Sequence, residues 1–220
     1  MDRTERMGAQ IRNKTRVTDH GEVFTADREV QAMLDLVNPE TRRIDSRFLE
    51  PACGSGNFLV AVLRRKLEVV RRRHGRSEFA FSRDAFTALS SLYGVDLLAD
   101  NVEECRRRLQ EAFLLAYREA SGKEPDARVV RAARFILDRN VLWGDALTMR
   151  RADGRDEPIV FTEWTPVNGR LVKRREYVLA HMLDQHPMDG DNLFSDLGER
   201  AFVPRPVREH PLTDFLEIGE

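Results

Sequence analysis

Cysteine is scarce in this sequence of 220 residues, which contains only Cys53 and Cys105. Two cysteines exclude the disulfide framework that holds many small secreted domains together. The five histidines are scattered and there is no CxxC pair, so no metal site is expected. Long apolar runs are also missing, because no stretch approaches the roughly 20 apolar residues of a membrane-spanning helix.

The sequence has no excess of charge of either sign. It contains 36 Lys+Arg and 37 Asp+Glu, a formal net charge of −1. A protein that holds nucleic acid by bulk positive charge is usually more basic, so any such contact must come from a local patch. The N-terminus has no apolar run that would act as a secretory signal. These features predict a soluble, cytoplasmic protein without a membrane partner.

The pattern of residues divides the chain into four segments. Residues 1–20 are polar and charged, and we expect them to form a flexible arm. Residues 21–155 alternate strand and helix signals, which is typical of a parallel α/β sheet. In residues 156–185, Asn168-Gly169 between two β-prone runs predicts a β-hairpin extension. Residues 186–220 are rich in Pro, Gly and Asp, and we expect a loosely structured tail or a segment ordered by a partner.

Hydrophobic spacing predicts the elements within residues 21–155. Strands are expected near residues 47–51, 92–98 and 140–145, and helices over residues 58–73, 83–92, 100–120 and 126–137. Residues 21–37 are expected to form a turn and then a helix, with Thr25 as its N-cap. The helix at 58–73 has one apolar side, and we interpret its other face as a solvated basic surface rather than a nucleic-acid patch. The cations assigned to that face are Arg64, Arg65, Lys66, Arg71, Arg72 and Arg73.

The most informative segment is Phe48-Leu-Glu-Pro-Ala-Cys-Gly-Ser-Gly-Asn-Phe-Leu59, which joins the first strand to a helix. Gly54 and Gly56 permit backbone torsions and close approaches that a Cβ would block. The helix N-terminus beyond them offers N–H groups to an anionic group. A glycine turn between a strand and a helix is the context that a nucleotide-binding motif requires.

Acidic residues end the next two predicted strands. A carboxylate after the second strand, Asp96, can accept hydrogen bonds from both hydroxyls of a ribose. Asp145, after the third strand, can accept a hydrogen bond from an exocyclic adenine amine. The glycine turn and both aspartates follow successive strands, where open α/β sheets bind ligands. Because glycine turns of this kind also serve NAD enzymes, these residues alone leave the cofactor open.

The amino-acid sequence of these segments resembles that of the amino-methylating (N6-adenine) DNA methyltransferases of restriction-modification systems. Leu49 to Leu59 is similar to their S-adenosylmethionine-binding motif, D/E-P-A-C-G-S-G-x-F-L. Gly21 to Thr25 resembles their G-x-x-x-T-P element, with Ala26 in place of the proline. Residues 93–98 and 140–147 resemble the ribose and adenine steps, in the family's order. The resemblance implies a class I methyltransferase fold, which is an α/β, doubly wound (Rossmann-like) sheet, with S-adenosylmethionine as the cofactor.

The same resemblance assigns roles to the cofactor-binding residues. The residues that would hold the methionine part or its turn are Thr25, Ala52, Gly54, Gly56, Asn57 and Phe58. Glu50 would lie near the amino group of the cofactor or order the glycine turn. Asp96 would bind the ribose, Leu97 would flank the adenine, and Asp145 would accept its N6 amine.

The catalytic signature of this family, D/N/S-P-P-Y/F/W, is absent, and the chain contains no Pro-Pro pair. In the family this signature holds the target amine and stacks on the flipped base. The candidate for the fourth strand is Pro158 to Phe161, which continues into Thr162-Glu-Trp164. We interpret Trp164 as a packing residue of the hairpin, and the catalytic residues stay unassigned.

Three explanations of the missing signature remain open: a second polypeptide supplies it, the chain is a decayed or regulatory relative, or an unrecognised substitute takes its place. The leading prediction is an S-adenosylmethionine-dependent adenine-N6 DNA methyltransferase, or a methylase subunit, of a restriction-modification or phage-defence system. DNA would be its substrate. The alternative is a catalytically inactive S-adenosylmethionine-binding or partner-binding module derived from such a methylase. A third option is methylation of RNA, protein or a small molecule.

Overall fold

A computed structural model describes residues 27–74, 77–183 and 205–219. Its helices are α1 (Asp27–Leu36), α2 (Asn38–Thr41), α3 (Asn57–His74), α4 (Glu78–Ser90), α5 (Ala99–Ser121), α6 (Ala127–Asn140) and α7 (Leu179–Leu183). Its strands are β1 (Phe48–Glu50), β2 (Leu92–Asp96), β3 (Val141–Asp145), β4 (Arg150–Arg151), β5 (Val160–Asn168), β6 (Leu171–Val178), β7 (Arg208–Glu209) and β8 (Thr213–Asp214). In this part of the chain, no helix is long and apolar enough to cross a membrane.

The first sheet has the order β1-β2-β3-β4. Strands β1, β2 and β3 are parallel, and β4 is antiparallel to β3. Side chains of a strand alternate between the two faces of its sheet. On one face, Leu92 and Val141 pack into the core formed with helices α3 to α6. On the other face, Tyr93, Val95 and Leu142 pack against a smaller set of residues, which are Ile159, Phe161 and Leu179. The α/β class predicted from the sequence is therefore confirmed.

The second sheet is antiparallel and is built around the β5–β6 hairpin. The hairpin turns at Gly169 and Arg170, because Asn168 still pairs with Leu171, and Gly169 adopts the positive φ of +54° that such turns need. Residues 205–219, which lie in the segment that we expected to be loosely structured, supply β7 and β8, and both strands pair with β6. Phe215 then packs on Phe86 with 4.8 Å between ring centroids. Aromatic burial explains why this part of the tail is ordered.

The fourth-strand interpretation of Pro158 to Phe161 is wrong. The fourth strand of the first sheet is Arg150–Arg151, and residues 160–168 belong to the second sheet. Strand β4 occupies the place beside β3, Pro158 forms a single antiparallel bridge with Arg150 of β4, and the residues from Val160 onward pair with β6. Trp164 is buried, at 7% exposure, and its ring meets Phe135 of α6 edge-on at 6.1 Å. The structure thus places Trp164 in packing, as the sequence suggested.

A buried amide ties the hairpin to the first sheet. The Asn140 side chain is fully buried and donates to Ser90 O at 2.9 Å and to Leu92 O at 3.1 Å. Its oxygen accepts a hydrogen bond from Trp164 Nε1 at 3.0 Å. Every polar atom of this amide has a partner, and Trp164 and Val172 of the hairpin lie in the main core cluster, so the hairpin packs against the first sheet.

We expect Asn140→Ala to lower the free energy of unfolding by about 2–4 kcal/mol, because it leaves two carbonyls and the Trp164 indole without partners. Trp164→Phe removes only one donor and should cost less, about 1–2 kcal/mol. Urea unfolding followed by circular dichroism measures both values. The double variant should lose less than the sum of the two, since both changes break the same link. Strict additivity would contradict the link.

Lys66 is the largest fully buried side chain of the described residues. The sequence analysis assigned it to the solvated face of α3, and this assignment is wrong. Leu59, Leu63 and Val70 lie on the buried side at helical spacing, and Lys66 falls between them. Its ammonium donates to the carbonyls of Ile44 and Ser46 and to Ser91 Oγ, the last at 2.5 Å. Lys66 thereby joins the segment before β1 to the end of α4.

Candidate functional site

The candidate site lies where the three parallel strands end. Leu49 pairs with Tyr93 and Asp96 pairs with Trp143, so the carboxyl ends of β1, β2 and β3 meet at one edge of the sheet. Adjacent strands are about 4.8 Å apart. This edge brings together Glu50, the glycine turn, Asp96 and Asp145, as the sequence pattern predicted.

The glycine turn after β1 has a backbone that other residues do not readily adopt. Gly54 has φ +51° and Gly56 has φ +83°. A Cβ at Gly56 would lie 2.6 Å from Cys105 Sγ, so the turn packs directly on α5. Cys53 N donates to Val95 O at 2.9 Å, and Val60 N donates to Gly56 O at 2.9 Å at the start of α3. The turn therefore joins β2, α3 and α5.

Asp96 holds this turn in place. One carboxylate oxygen accepts from Gly54 N at 2.8 Å. The other accepts from Leu98 N at 2.9 Å and from Asn101 Nδ2 at 3.1 Å. The residue is 9% exposed. A carboxylate has about four acceptor positions, so Asp96 retains capacity for a further donor. The ligand-binding role of Asp96 stays a prediction, whereas this anchoring role was not predicted from the sequence.

Glu50 is a half-buried carboxylate at the end of β1. Burial raises the pKa of Glu50, and the backbone N–H of Ala52 lowers it in part. No lysine or arginine in the described ranges forms an ion pair with it. A half-buried carboxylate without a cationic partner is suited to bind a positively charged group of a ligand.

Asn57 and Phe58, the first two residues of α3, help to position the glycine turn. Arg108 of α5 donates to Asn57 Oδ1 at 2.6 Å and to Ser55 O at 2.8 Å. Phe58 packs against Phe48, with 6.3 Å between ring centroids. Arg108 was not among the residues predicted from the sequence, and its helical position carries no signal that would distinguish it from the neighbouring arginines.

The ends of β2 and β3 carry an apolar and an acidic side chain. Leu97 is 53% exposed, and its carbonyl accepts from Trp143 Nε1 at 3.0 Å. Asp145 is partly exposed and accepts from Leu147 N at 2.8 Å, which caps the turn after β3. An exposed leucine and an aspartate at the ends of neighbouring strands fit the apolar ring and the amine of a purine.

Cys53 lies within the turn but is buried. Its hydrogen bond with Cys105 and its burial raise the pKa of the Cys53 thiol. A thiol with a raised pKa stays protonated at neutral pH and is a poor nucleophile. Cys53 is thus a packing residue between the turn and α5.

Of the cofactor-binding residues predicted from the sequence, all but one lie in the glycine turn, at the start of α3 or at the strand ends. Thr25, the exception, lies outside the described residues. Comparison of the chain with protein-family models, with curated proteins and with solved structures finds no match.

Proposed function

We propose that the chain binds S-adenosylmethionine at the carboxyl ends of β1, β2 and β3. We further propose that it acts as an adenine-N6 DNA methyltransferase, or as the cofactor-binding subunit of one. The observation that carries the proposal is the glycine turn clamped by Asp96, with the half-buried Glu50 beside it, which has no cationic partner among the described residues. This set of groups is complementary to a cofactor with an ammonium, a ribose and a purine.

The roles of the residues follow from their chemistry. Glu50 attracts the ammonium of the methionine part, and the N-terminus of α3 favours its carboxylate. Asp96 has the acceptor capacity to bind one ribose hydroxyl, while Leu97 and Asp145 contact the adenine. When bound, S-adenosylmethionine supplies a methyl group on a sulfonium, which a target amine attacks directly. This chain fixes the cofactor, and the residues that hold the amine are unassigned.

A doubly wound, Rossmann-like sheet is also part of this proposal. Three parallel strands with the order β1-β2-β3 and a glycine turn after β1 are consistent with one half of a doubly wound, Rossmann-like sheet. The cofactor would then lie across the ends of β1 and β2, where such sheets bind nucleotides.

A second candidate function is a binding module without catalysis. Trp164, the aromatic side chain that follows the third strand, is bonded to Asn140 inside the core and is not placed to stack on a flipped base. Methylation of RNA, protein or a small molecule is the third possibility. Transfer of radiolabelled methyl groups to duplex DNA, RNA and protein separates these functions, and no transfer to any of them supports the binding module.

Calorimetric titration of the purified chain with S-adenosylmethionine tests the cofactor proposal. We expect saturable binding of one equivalent, and none with NAD as the control nucleotide. A chain that is folded by circular dichroism and shows no saturable binding would contradict the proposal. Tighter binding of NAD would do the same.

We expect Glu50→Gln to weaken S-adenosylmethionine binding about tenfold, the cost of losing one charge-assisted contact. S-adenosylhomocysteine should lose a similar factor, since it retains the ammonium. Methylthioadenosine lacks the amino acid part and should bind the variant and the original chain alike. Equal losses for all three ligands would show that Glu50 acts on the turn and not on the ammonium.

A further inference from the structure

A groove rich in arginine lies along α3, beside α1 and α2. Its volume is about 710 Å³. Five arginines line it: Arg64, Arg65, Arg72 and Arg73 belong to α3, and Arg42 follows α2. The sequence analysis interpreted the basic face of α3 as solvated, and it could show neither the concave shape nor the contribution of Arg42. In a chain of net charge −1, this groove is a local concentration of positive charge.

Two carboxylates in the lining offset part of this charge. Asp35 of α1 pairs with Arg65 at 2.6 Å. Glu68 pairs with Arg72 at 2.9 Å and also with Arg71, which lies outside the lining, at 2.8 Å. Exposed ion pairs of this kind are weak, so a multiply charged anion can compete for their guanidinium groups. Within the lining, five cations therefore face two anions.

Three arginines of the groove have exposed side chains that form no hydrogen bond or ion pair with another residue that the structure describes. The carboxylates closest along the chain, Glu40 and Asp45, both pair with Arg43, which is outside the lining. Three guanidinium groups therefore have their donors available to a ligand. They are Arg42, Arg64 and Arg73.

Stabilisation of α3 does not account for the whole set of arginines. Cations in the last turn of a helix interact favourably with the helix dipole, which explains Arg72 and Arg73. Arg64 and Arg65 lie in the middle of α3, and Arg42 lies in another segment. The effect of the dipole falls off beyond the last turn, so these three side chains have no part in it. A multiply charged anion in the groove accounts for all five.

The side chains of the groove are suited to phosphate. All five cations are arginines, whose planar guanidinium groups can donate two parallel hydrogen bonds to one phosphate. Val69 is the only apolar side chain among the described residues of the lining. Protein partners and membranes usually need aromatic or larger apolar anchors, and proteins that bind single strands stack the bases on aromatic side chains. The lining therefore favours the phosphates of a duplex, whose bases stay paired inside.

We propose that this groove binds the phosphodiester backbone of a nucleic-acid duplex. Phosphates are the same at every step of a duplex, so the contact holds the chain without reading a sequence. Asn57 begins α3 after the glycine turn, and Arg64 and Arg73 lie about 10 and 24 Å further along the helix axis. The groove is thus separate from the candidate cofactor site. The inference does not depend on the proposed function, because it needs no cofactor.

Fluorescence anisotropy of a labelled DNA duplex of arbitrary sequence tests the groove, at several salt concentrations and without S-adenosylmethionine. The test variant is Arg42→Gln/Arg64→Gln/Arg73→Gln, which removes three exposed charges and breaks no ion pair among the described residues. We expect the Kd to rise at least about tenfold at low salt. The plot of log Kd against log salt concentration should lose about 2–3 from its slope, since each phosphate contact contributes about 0.9.

A matched control, Arg107→Gln/Arg118→Gln/Arg134→Gln, removes three exposed arginines from α5 and α6. It changes the net charge by the same amount outside the groove, so its salt slope should stay close to that of the original chain. An equal loss of affinity in both variants would indicate general electrostatic attraction and would overturn the proposal. An unchanged Kd for the groove variant, or no binding of any duplex by the original chain, would overturn it too.

Duplex RNA, measured in the same way, identifies which backbone the groove prefers. Loss of binding of either duplex in the groove variant alone supports the proposal, whereas tighter binding of polyglutamate or of phosphatidylserine vesicles would overturn it. Calorimetry with S-adenosylmethionine separates this inference from the proposed function, since the groove variant should bind the cofactor like the original chain. A chain that binds no cofactor but loses duplex binding with the groove would contradict the proposed function only.

Discussion

Replacing Asp96 by alanine is expected to abolish S-adenosylmethionine binding and to lower the free energy of unfolding by about 3 kcal/mol. The change leaves three donors without an acceptor: the amides of Gly54 and Leu98 and the side chain of Asn101. The Gly54 bond holds the glycine turn against β2 together with the bond from Cys53 N to Val95 O, so its loss loosens the turn and removes the acceptor for the ligand. Calorimetry with S-adenosylmethionine and urea unfolding measure the two effects.

Asp96→Asn is the matched control for this prediction. It keeps the shape of the side chain but replaces one oxygen with a donor, which then faces either Gly54 N or the pair formed by Leu98 N and Asn101 Nδ2. We expect intermediate stability and strongly weakened binding. A fully stable Asp96→Ala chain that still binds the cofactor would show that Asp96 neither anchors the turn nor binds the ribose.

The free energy of unfolding is expected to increase as the pH rises from 7 to 10, because of the titration of Lys66. Burial lowers the pKa of Lys66 to about 7 in the folded chain, against an ordinary value of 10.5, although Asp45 and Glu40 oppose the shift. Between these two values the unfolded chain binds a proton that the folded chain does not. The free energy of unfolding therefore rises with pH, by about 1.4 kcal/mol per pH unit within this window.

Urea unfolding at pH 7, 8 and 9 measures this slope. Lys66→Met has no group to titrate, so the contribution of about 1.4 kcal/mol per pH unit should disappear from its slope. Lys123→Met is the control, because Lys123 is exposed and pairs with Glu78 at 3.1 Å on the surface. It should retain the slope of the original chain. If Lys66→Met retained that slope, other groups would be responsible for it.

Local patterns in the sequence predicted much of the first sheet and the site. The strands near residues 48, 92 and 141 and the helices between them follow from hydrophobic spacing over a few turns. The glycine turn could be predicted because its glycines stand between a strand and a helix. Asp96 was predicted as a site residue because it ends the second strand, which the local sequence shows.

Contacts between distant segments could not be predicted in this way. The interpretation of residues 158–161 as a fourth strand failed because pairing with β6 and the Asn140 link decide their place. Lys66 was assigned to the solvated face because it is charged, although its position along the helix places it on the buried side. The spacing of Leu59, Leu63 and Val70 carried the signal that it lies inside. The role of Arg108 depends on a contact across about fifty residues of sequence.

The pairing of residues 205–219 with β6 has a consequence for the order in which the chain folds during synthesis. The three parallel strands and their helices are complete once residue 145 has left the ribosome. Strand β6 must then wait for β7 and β8, and Phe86 must wait for Phe215. Until these partners emerge, the nascent chain exposes a strand edge and an aromatic surface that invite aggregation. Pauses in translation that delay the emergence of residues 205–219 should therefore increase the demand for chaperones.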